Sequence, residues 1–209
     1  MMAIIYGVKR NVGVAMRVSR KQVAENRRRI LEAAGRLFRA KGFEAVTVAE
    51  VMRAAGLTHG GFYGHFGSKD DLIAQTLAYA LLAGEDRQRS RAEVDLARYA
   101  AGYLSPRHRD DLAGGCPTAG LGAETIRQSP EARAAMTAGL RRRIELLSEG
   151  APGASAAEKR RVAIGSWAAM VGAVILARLS DDPRLSDEVL EQTRAWIDDK
   201  GVTRTTREG

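Results

Sequence analysis

The spacing of apolar residues along the chain predicts an all-α protein. Leu, Ala, Val and Phe recur three, four and seven positions apart, while the alternation typical of β-strands is almost absent. Glycine, proline and serine interrupt the pattern at intervals and divide it into separate helices. The first four predicted helices span about 19–41, about 48–55, at most two turns after Thr58, and from Lys69 to a break near 84–91. The other predicted helices span about 94–104, 117–128, 130–149, 156–179 and 186–200.

The first three helices carry specific start and stop signals. Gly42 ends the first helix, and Gly56 ends the second because glycine readily adopts the left-handed conformation that stops a helix. Thr47, with Glu50 three positions later, is a capping-box pattern at the start of the second helix. Two short helices joined by a tight glycine turn behind a longer helix are typical of a helix-turn-helix.

The third helix is short and contains three glycines, so it cannot be stable alone. Each glycine costs about 1 kcal/mol relative to alanine in a helix. Phe62 and Phe66 lie four positions apart, and we expect them to bury with Leu57 in a core shared with the first two helices. The opposite face would then be bare and polar. It carries Thr58, His59, Tyr63 and His65.

The charge distribution identifies a partner for this segment. The chain has 33 basic and 25 acidic residues, and 13 of the basic but only 5 of the acidic ones precede residue 71. The first third therefore carries the whole net charge of +8, while the remainder is neutral. Such asymmetry favours a polyanion as partner, and nucleic acid fits a helix-turn-helix. A solvated basic helix face without a partner is the alternative.

The stretch from Arg29 to Leu72 resembles the DNA-binding domain of the TetR family of regulators. The similar segments include ILEAA, KGF, TV, AAGL and FYGHFGSKDDL. The resemblance covers about a quarter of the chain, and the second half is similar to the family in length and helical pattern. It implies a homodimer that binds a palindromic operator as double-stranded DNA. It also implies a pocket for a small-molecule effector in the second domain, and repression as the usual outcome.

By position, the resemblance places Thr47, Tyr63 and Lys69 at phosphate contacts and Thr58, His59 and Gly60 where the family reads bases. His65 is added from its place on the polar face. The Gly60-Gly61 pair departs from the usual polar side chains. It suggests close backbone approach to DNA, or recognition of DNA shape, in place of side-chain contacts to bases.

The predicted domain organisation has four parts. Residues 1–18 form a flexible basic tail, of which the first fifteen residues are an arm or an extension from a mis-assigned start. Residues 19–67 form the helix-turn-helix domain, and residues 68–200 form a helical ligand-binding and dimerisation domain. Residues 201–209 are expected to be a frayed tail.

The second domain offers a dimer interface and a pocket as predictions. Small residues on the 156–179 helix allow close helix approach, and the family resemblance implies a four-helix bundle between two subunits. An intrachain core helix is the alternative. The small residues are Gly165, Ala168, Ala169, Gly172 and Ala173. Large residues near helix centres are candidate pocket residues, with ordinary core packing as the alternative: Tyr99, Tyr103, Met136, Leu140, Trp167 and Met170.

The single cysteine, Cys116, precedes Pro117 at a predicted helix start, where a thiol is a better nucleophile. This position suggests a thiol or electrophile sensor, against the alternative of a small buried residue. A cysteine-dependent enzyme using Cys116, His108 and Asp110 is a third reading, although no other enzyme motif accompanies these residues. A nonspecific DNA binder is a fourth, and the large neutral second half argues against it.

The remaining composition narrows the class of protein. Only 3 His and 1 Cys are present, without metal-ligand spacing, so we expect no metal and no cofactor. One cysteine excludes an intrachain disulfide and is typical of the cytoplasm. The uncharged run 162–177 is shorter than the roughly 20 residues of a spanning helix, so we expect no membrane association.

Overall fold

A computed structural model describes residues 19–89 and 95–202, and within these ranges the chain contains helices and no strand. The all-α prediction is confirmed. The predicted tail over 1–18 lies outside the described residues. Of the predicted frayed tail over 201–209, residues 201 and 202 instead end the last helix, and the rest lies outside the described residues. The helices are α1 (Arg20–Lys41), α2 (Val48–Ala54), a 3₁₀ helix (His59–Gly64), α3 (Lys69–Arg89), α4 (Leu96–Tyr103), α5 (Pro106–Asp110), α6 (Pro117–Thr125), α7 (Pro130–Glu149), α8 (Ala156–Leu179) and α9 (Pro183–Val202).

Side-chain caps begin the first two helices, and the one at Thr47 was predicted. The Ser19 hydroxyl accepts a hydrogen bond from the Gln22 N–H at the start of α1, and the Thr47 hydroxyl accepts one from the Glu50 N–H at the start of α2. Gly42 and Gly56 both have positive φ, at 83° and 68°. Each of these two glycines therefore allows a turn that another residue would make only with strain.

Several elements differ from the sequence prediction, and three of the differences have a clear physical reason. The third helix is a 3₁₀ helix, because three glycines in six residues weaken α-helical hydrogen bonding. The predicted break over 105–115 contains α5, which Ser105 caps by accepting from the His108 N–H. The last helix begins three residues early, because the Asp182 carboxylate and carbonyl accept from the N–H groups of Arg184 and Ser186.

Two hydrophobic clusters hold the chain together. The first lies among α1, α2, the 3₁₀ helix and α3, and it extends to Leu121 of α6 and to Ala132 and Met136 of α7. The second lies among α4, α7, α8 and α9. Helix α3 packs along α7, which in turn packs on α8, so α3 and α7 join the two clusters. The core of the helix-turn-helix is therefore continuous with that of the second domain.

Candidate nucleic-acid interface and internal cavity

Two aromatic side chains anchor the 3₁₀ helix, as predicted. Phe62 and Phe66 are 1% and 2% exposed, and their rings stack with centroids 5.7 Å apart. They belong to the first cluster with Phe38 and Val51, and Leu57 packs against it. Burial of each aromatic ring provides the stability that the glycine-rich backbone lacks. The 3₁₀ helix is thus held from one side only.

The other side of the 3₁₀ helix is exposed and nearly without side chains. Tyr63 is 74% exposed, although its ring also contacts Phe62 edge-on with centroids 5.2 Å apart. A Cβ atom added to Gly60 or Gly64 would meet no atom within 4 Å, and one added to Gly61 would make only ordinary contact with Met52. The protein's own packing therefore does not require glycine here. This open backbone leaves room for close approach of another molecule, and that approach stays a prediction.

Arg27 of α1 fixes the end of the 3₁₀ helix, and the sequence analysis missed it. Its guanidinium lies 4.7 Å from the centre of the Phe66 ring and donates a 2.7 Å hydrogen bond to the His65 carbonyl. A cation over an aromatic face is attracted by the ring's quadrupole. The half-buried His65 is therefore held through its backbone. An arginine four residues before a buried stripe was the available signal in the sequence.

The predicted phosphate-binding residues lie at the edges of this surface. The Lys69 ammonium donates a 3.5 Å hydrogen bond to the Glu44 carbonyl, in the loop before Thr47. The Thr47 side chain caps α2, and Thr58 and His59 are exposed at the start of the 3₁₀ helix. The fold brings Lys69 close to the N-terminus of α2, where free N–H groups favour anions.

A cavity of about 540 Å³ lies where α1, α3, α4, α6, α7 and α8 meet. Tyr99, Tyr103 and Trp167, three of the candidate pocket residues, line it, and a role for them in ligand binding stays a prediction. The other three candidates do not line this cavity. Helical periodicity predicts which positions are buried, but it does not predict whether a buried side chain borders a cavity or packs in the core. Met136 packs in the first cluster, Met170 in the second, and Leu140 against both.

Two aromatic side chains of the cavity lie beside the Arg143 guanidinium, and a third packs against both of them. Tyr99 and Tyr103 stack with centroids 5.9 Å apart, and Tyr103 meets Trp167 edge-on at 5.2 Å. The Arg143 guanidinium lies 5.4 Å from the Tyr99 ring centre and 5.5 Å from that of Trp167. Burial raises the pKa of both tyrosines well above the usual value, so both phenols are O–H donors at neutral pH.

Cys116 also lines the cavity, at the N-cap of α6, where its side chain makes no capping hydrogen bond. Its backbone N–H donates to His108 Nε2 at 3.1 Å, while His108 Nδ1 lies 2.7 Å from the Tyr103 carbonyl. Burial lowers the pKa of His108, which favours the neutral ring with Nδ1 as donor. Asp110 pairs with Arg109. These three residues are therefore not arranged as nucleophile, base and orienting acid.

Two polar contacts connect the α5–α6 region to the helix-turn-helix. A Glu124 carboxylate oxygen accepts a 2.8 Å hydrogen bond from the Phe43 N–H, beside the turn at Gly42. The Arg39 guanidinium donates a 2.7 Å hydrogen bond to the Ala113 carbonyl. Both contacts join residues more than 70 positions apart in sequence. The lining of the cavity and the end of α1 are therefore mechanically linked.

Helices α8 and α9 leave an apolar surface exposed. Leu176 and Leu179 on α8 are 58% and 75% exposed, and Leu185 and Trp196 on α9 are about half exposed. Of the small residues predicted at an interface, Gly165 and Ala168 are exposed and Ala169 and Gly172 are partly exposed. Ala173 instead faces the second cluster, since one residue beyond Gly172 it is rotated by about 100° around the helix axis.

Helix α8 is also long and apolar enough to cross a membrane, judged by length and composition alone. Its inner face packs in the second cluster through Ala163, Trp167, Met170 and Val174. A core helix of a soluble protein satisfies the same criterion.

Comparison with known proteins matches the N-terminal region to one family. The sequence model described as "Bacterial regulatory proteins, tetR family" matches residues 30–76. The HTH-type transcriptional regulator AcrR of Shigella flexneri is 37% identical over 59 residues, 28% of this chain and 27% of AcrR. The HTH-type transcriptional repressor Rv1474c of Mycobacterium tuberculosis is 36% identical over 76 residues, 36% of this chain and 37% of that protein. The chain thus spans well under half the length of these relatives.

Solved structures match over most of the chain. The reduced form of E. coli NemR superposes with a TM-score of 0.69 at 25% identity, covering 84% of this chain and 96% of NemR. A TetR transcriptional regulator from Chloroflexus aurantiacus gives 0.67 at 25% identity, covering 85% and 96%. Sequence similarity identifies the helix-turn-helix, and structural similarity extends through the second domain. Residues 30–76 therefore match the DNA-binding domain of the TetR family of bacterial regulatory proteins, and most of the chain shares its fold with solved regulators of that kind.

Proposed function

We propose that this protein is a homodimeric, cytoplasmic transcriptional repressor that binds a palindromic operator and releases it when a small molecule binds. The exposed, glycine-rich 3₁₀ helix, anchored by Phe62 and Phe66, is the observation that carries the proposal. A surface with so few side chains lets the backbone lie close to a base edge or a phosphate. The named functions of the relatives AcrR and Rv1474c support the same conclusion.

The residues around the 3₁₀ helix divide into two roles. Thr47, Tyr63 and Lys69 would contact phosphates, which position the protein without reading sequence. Thr58, His59 and Gly60 would lie against base edges, with His65 beside them. Because Gly60 and Gly61 offer no side chain, much of the specificity would come from DNA shape.

Footprinting with the DNA upstream of the protein's own gene tests the proposal. We expect one short palindrome to be protected, with affinity that falls steeply as salt rises because phosphate contacts release counterions. Lys69→Ala should weaken binding by about 1 kcal/mol on all sequences alike and reduce the salt slope by about one. Lys159→Ala, on α8, is the control. Salt-independent binding, or full affinity of Lys69→Ala, would contradict the proposal.

The exposed apolar surface of α8 and α9 would form the dimer, since a second copy covers Leu176, Leu179 and Leu185 with the same surface. Ala168→Glu places a charge at the exposed centre of that stripe. It should yield monomers by light scattering and lose operator affinity. Ala134→Glu, exposed on α7, is the matched control and should stay dimeric. Dimeric Ala168→Glu would place the interface elsewhere.

A second candidate function is electrophile sensing through Cys116, because the thiol lines the cavity beside Tyr103. The sulfur would add to the ring of a quinone-like molecule while the thiol proton passes to a carbonyl oxygen, so no further reactant is needed. Mass spectrometry would show the adduct, and Cys116→Ser would keep the DNA bound. Normal release by Cys116→Ser would exclude this candidate.

A further inference from the structure

Two polar side chains that line the cavity are deeply buried and have no hydrogen-bond partner. Tyr103 is 7% exposed and Trp167 is 6% exposed. Within the described residues, neither the Tyr103 hydroxyl nor the Trp167 Nε1–H makes a hydrogen bond. An unpaired buried donor costs about 1–3 kcal/mol, so native proteins rarely retain one without a reason. Both atoms are closed to solvent in the ligand-free protein, so a bound molecule with acceptor atoms would satisfy them after a small shift of the lining side chains.

The charges of the cavity favour an anion. Among the described lining residues there are three arginines, Arg36, Arg39 and Arg143, and one carboxylate, Glu32. Glu32 is engaged away from Arg143, since it accepts hydrogen bonds from Arg28 at 2.6 Å, which Glu25 shares, and from the Tyr79 hydroxyl at 3.0 Å. Arg143 lies against the aromatic rings and forms no ion pair within the described part of the chain. The cavity, which is partly open to solvent, therefore presents a cation that no acidic side chain of the described residues neutralises.

The shapes of the lining groups favour a flat, unsaturated ligand. Tyr99, Tyr103 and Trp167 offer ring faces and edges that pair with another aromatic ring in stacked or edge-on geometry. An arginine also binds a carboxylate through two parallel hydrogen bonds in one plane. The volume of about 540 Å³ falls within the range of small-molecule sites.

We propose that the cavity binds a planar aromatic anion, an aromatic carboxylate in particular. Its carboxylate would pair with Arg143 and accept from the Tyr103 O–H and the Trp167 N–H, and its rings would lie among the aromatic side chains. The inference rests on the proposed function in taking this molecule as the effector that releases DNA. Cys116 lines the same cavity, but noncovalent binding does not need its thiol.

Calorimetry with three probes of similar size tests this ligand class. The probes are 2-naphthoate, its neutral analogue 2-naphthamide and the aliphatic acid decanoate. We expect 2-naphthoate to bind at least about 10-fold more tightly than either of the others, because only it combines ring and charge. Equal binding of the amide would remove the role of charge. Equal binding of decanoate would remove the role of the rings, and no binding below about 1 mM would overturn the ligand class.

Variants of two arginines on α7 locate the charge contact. Arg143→Gln should weaken 2-naphthoate binding by about 10- to 100-fold and change 2-naphthamide binding by less than about 3-fold. Arg143→Lys keeps the charge and should fall between Arg143→Gln and the wild type. Arg141→Gln, exposed on the same helix, is the matched control and should bind like the wild type. If Arg143→Gln retains full affinity for 2-naphthoate, the assignment of Arg143 is wrong.

Operator binding by the wild-type protein, measured without any probe, separates the two proposals. Failure to bind operator would contradict the proposed function whatever the calorimetry shows. Specific operator binding together with failure of 2-naphthoate to bind would overturn the ligand class alone. Binding of 2-naphthoate that leaves the operator complex intact would keep the site and reject its role as effector site.

Discussion

The 3₁₀ helix and the cavity use aromatic residues in opposite ways. At the 3₁₀ helix, Phe62 and Phe66 are buried so that the surface above them can remain almost bare. In the cavity, Tyr103 and Trp167 bury polar atoms that have no partner. The first arrangement stabilises the free protein, whereas the second lowers its stability in the absence of a ligand. The surface of the 3₁₀ helix therefore needs no further partner for its own stability, whereas the cavity keeps two unpaired donors that the proposed ligand would satisfy.

Phe62→Ala should have the largest effect on stability, because it removes the buried side chain that anchors the 3₁₀ helix. Loss of a buried phenylalanine costs about 3–5 kcal/mol of unfolding free energy, and the 3₁₀ helix would detach together with operator affinity. Urea denaturation followed by circular dichroism measures the first effect and a gel shift measures the second. The neighbouring exposed variant Tyr63→Phe should keep its stability. A loss below about 1 kcal/mol in Phe62→Ala would show that the anchor is not needed.

Alanine substitutions at two glycines should give an effect of intermediate size and test the comparison between the two regions. A Cβ added at Gly139 of α7 would lie 2.6 Å from Leu81 Cδ1 and 3.0 Å from Leu81 Cβ, so α3 and α7 would have to separate. Gly139→Ala should therefore cost about 1–3 kcal/mol in thermal or urea unfolding. Gly60→Ala meets no neighbour, so it should keep stability and lose operator affinity. The reverse ranking would mean that packing and not DNA approach selects glycine at position 60.

Tyr103→Phe should have the smallest effect and the opposite sign. Removing a buried hydroxyl that has no partner should raise the unfolding free energy of the ligand-free protein by about 1 kcal/mol. The same change should weaken 2-naphthoate binding. Tyr79→Phe is the control, because the Tyr79 hydroxyl donates to Glu32 and its loss should not stabilise. Destabilisation of Tyr103→Phe would show that the hydroxyl is satisfied in the free protein.

The helix-turn-helix could be predicted from sequence because its signals are local. Gly56, Thr47 and the Phe62–Phe66 pair lie within a few residues of the turns and faces that they determine. The 3₁₀ geometry was not predicted, because spacing rules locate a short helix without deciding its hydrogen-bond pattern. The boundaries of the two domains stay a prediction, although the first cluster crosses them through Leu121.

The cavity could be predicted only in part because it depends on long-range packing. Large residues near helix centres identified Tyr99, Tyr103 and Trp167, but the same criterion selected Met170, which is ordinary core. Arg143 was missed because it ends a run of three arginines that indicates a solvated helix face. The helices that pack against α7 determine which of the three adjacent arginines faces the cavity. The local sequence does not predict that packing.

The hydrogen bond between Glu124 and the Phe43 N–H limits how this protein can be engineered. Chimeric regulators are made by grafting the helix-turn-helix of one protein onto the ligand-binding domain of another. Here a carboxylate from α6 accepts a hydrogen bond from the turn before α2, and Leu121 of the same helix belongs to the core of the helix-turn-helix. A graft cut at residue 67 would leave this carboxylate and leucine behind. A functional transplant must therefore carry α6 of this chain, or a recipient that supplies equivalent side chains.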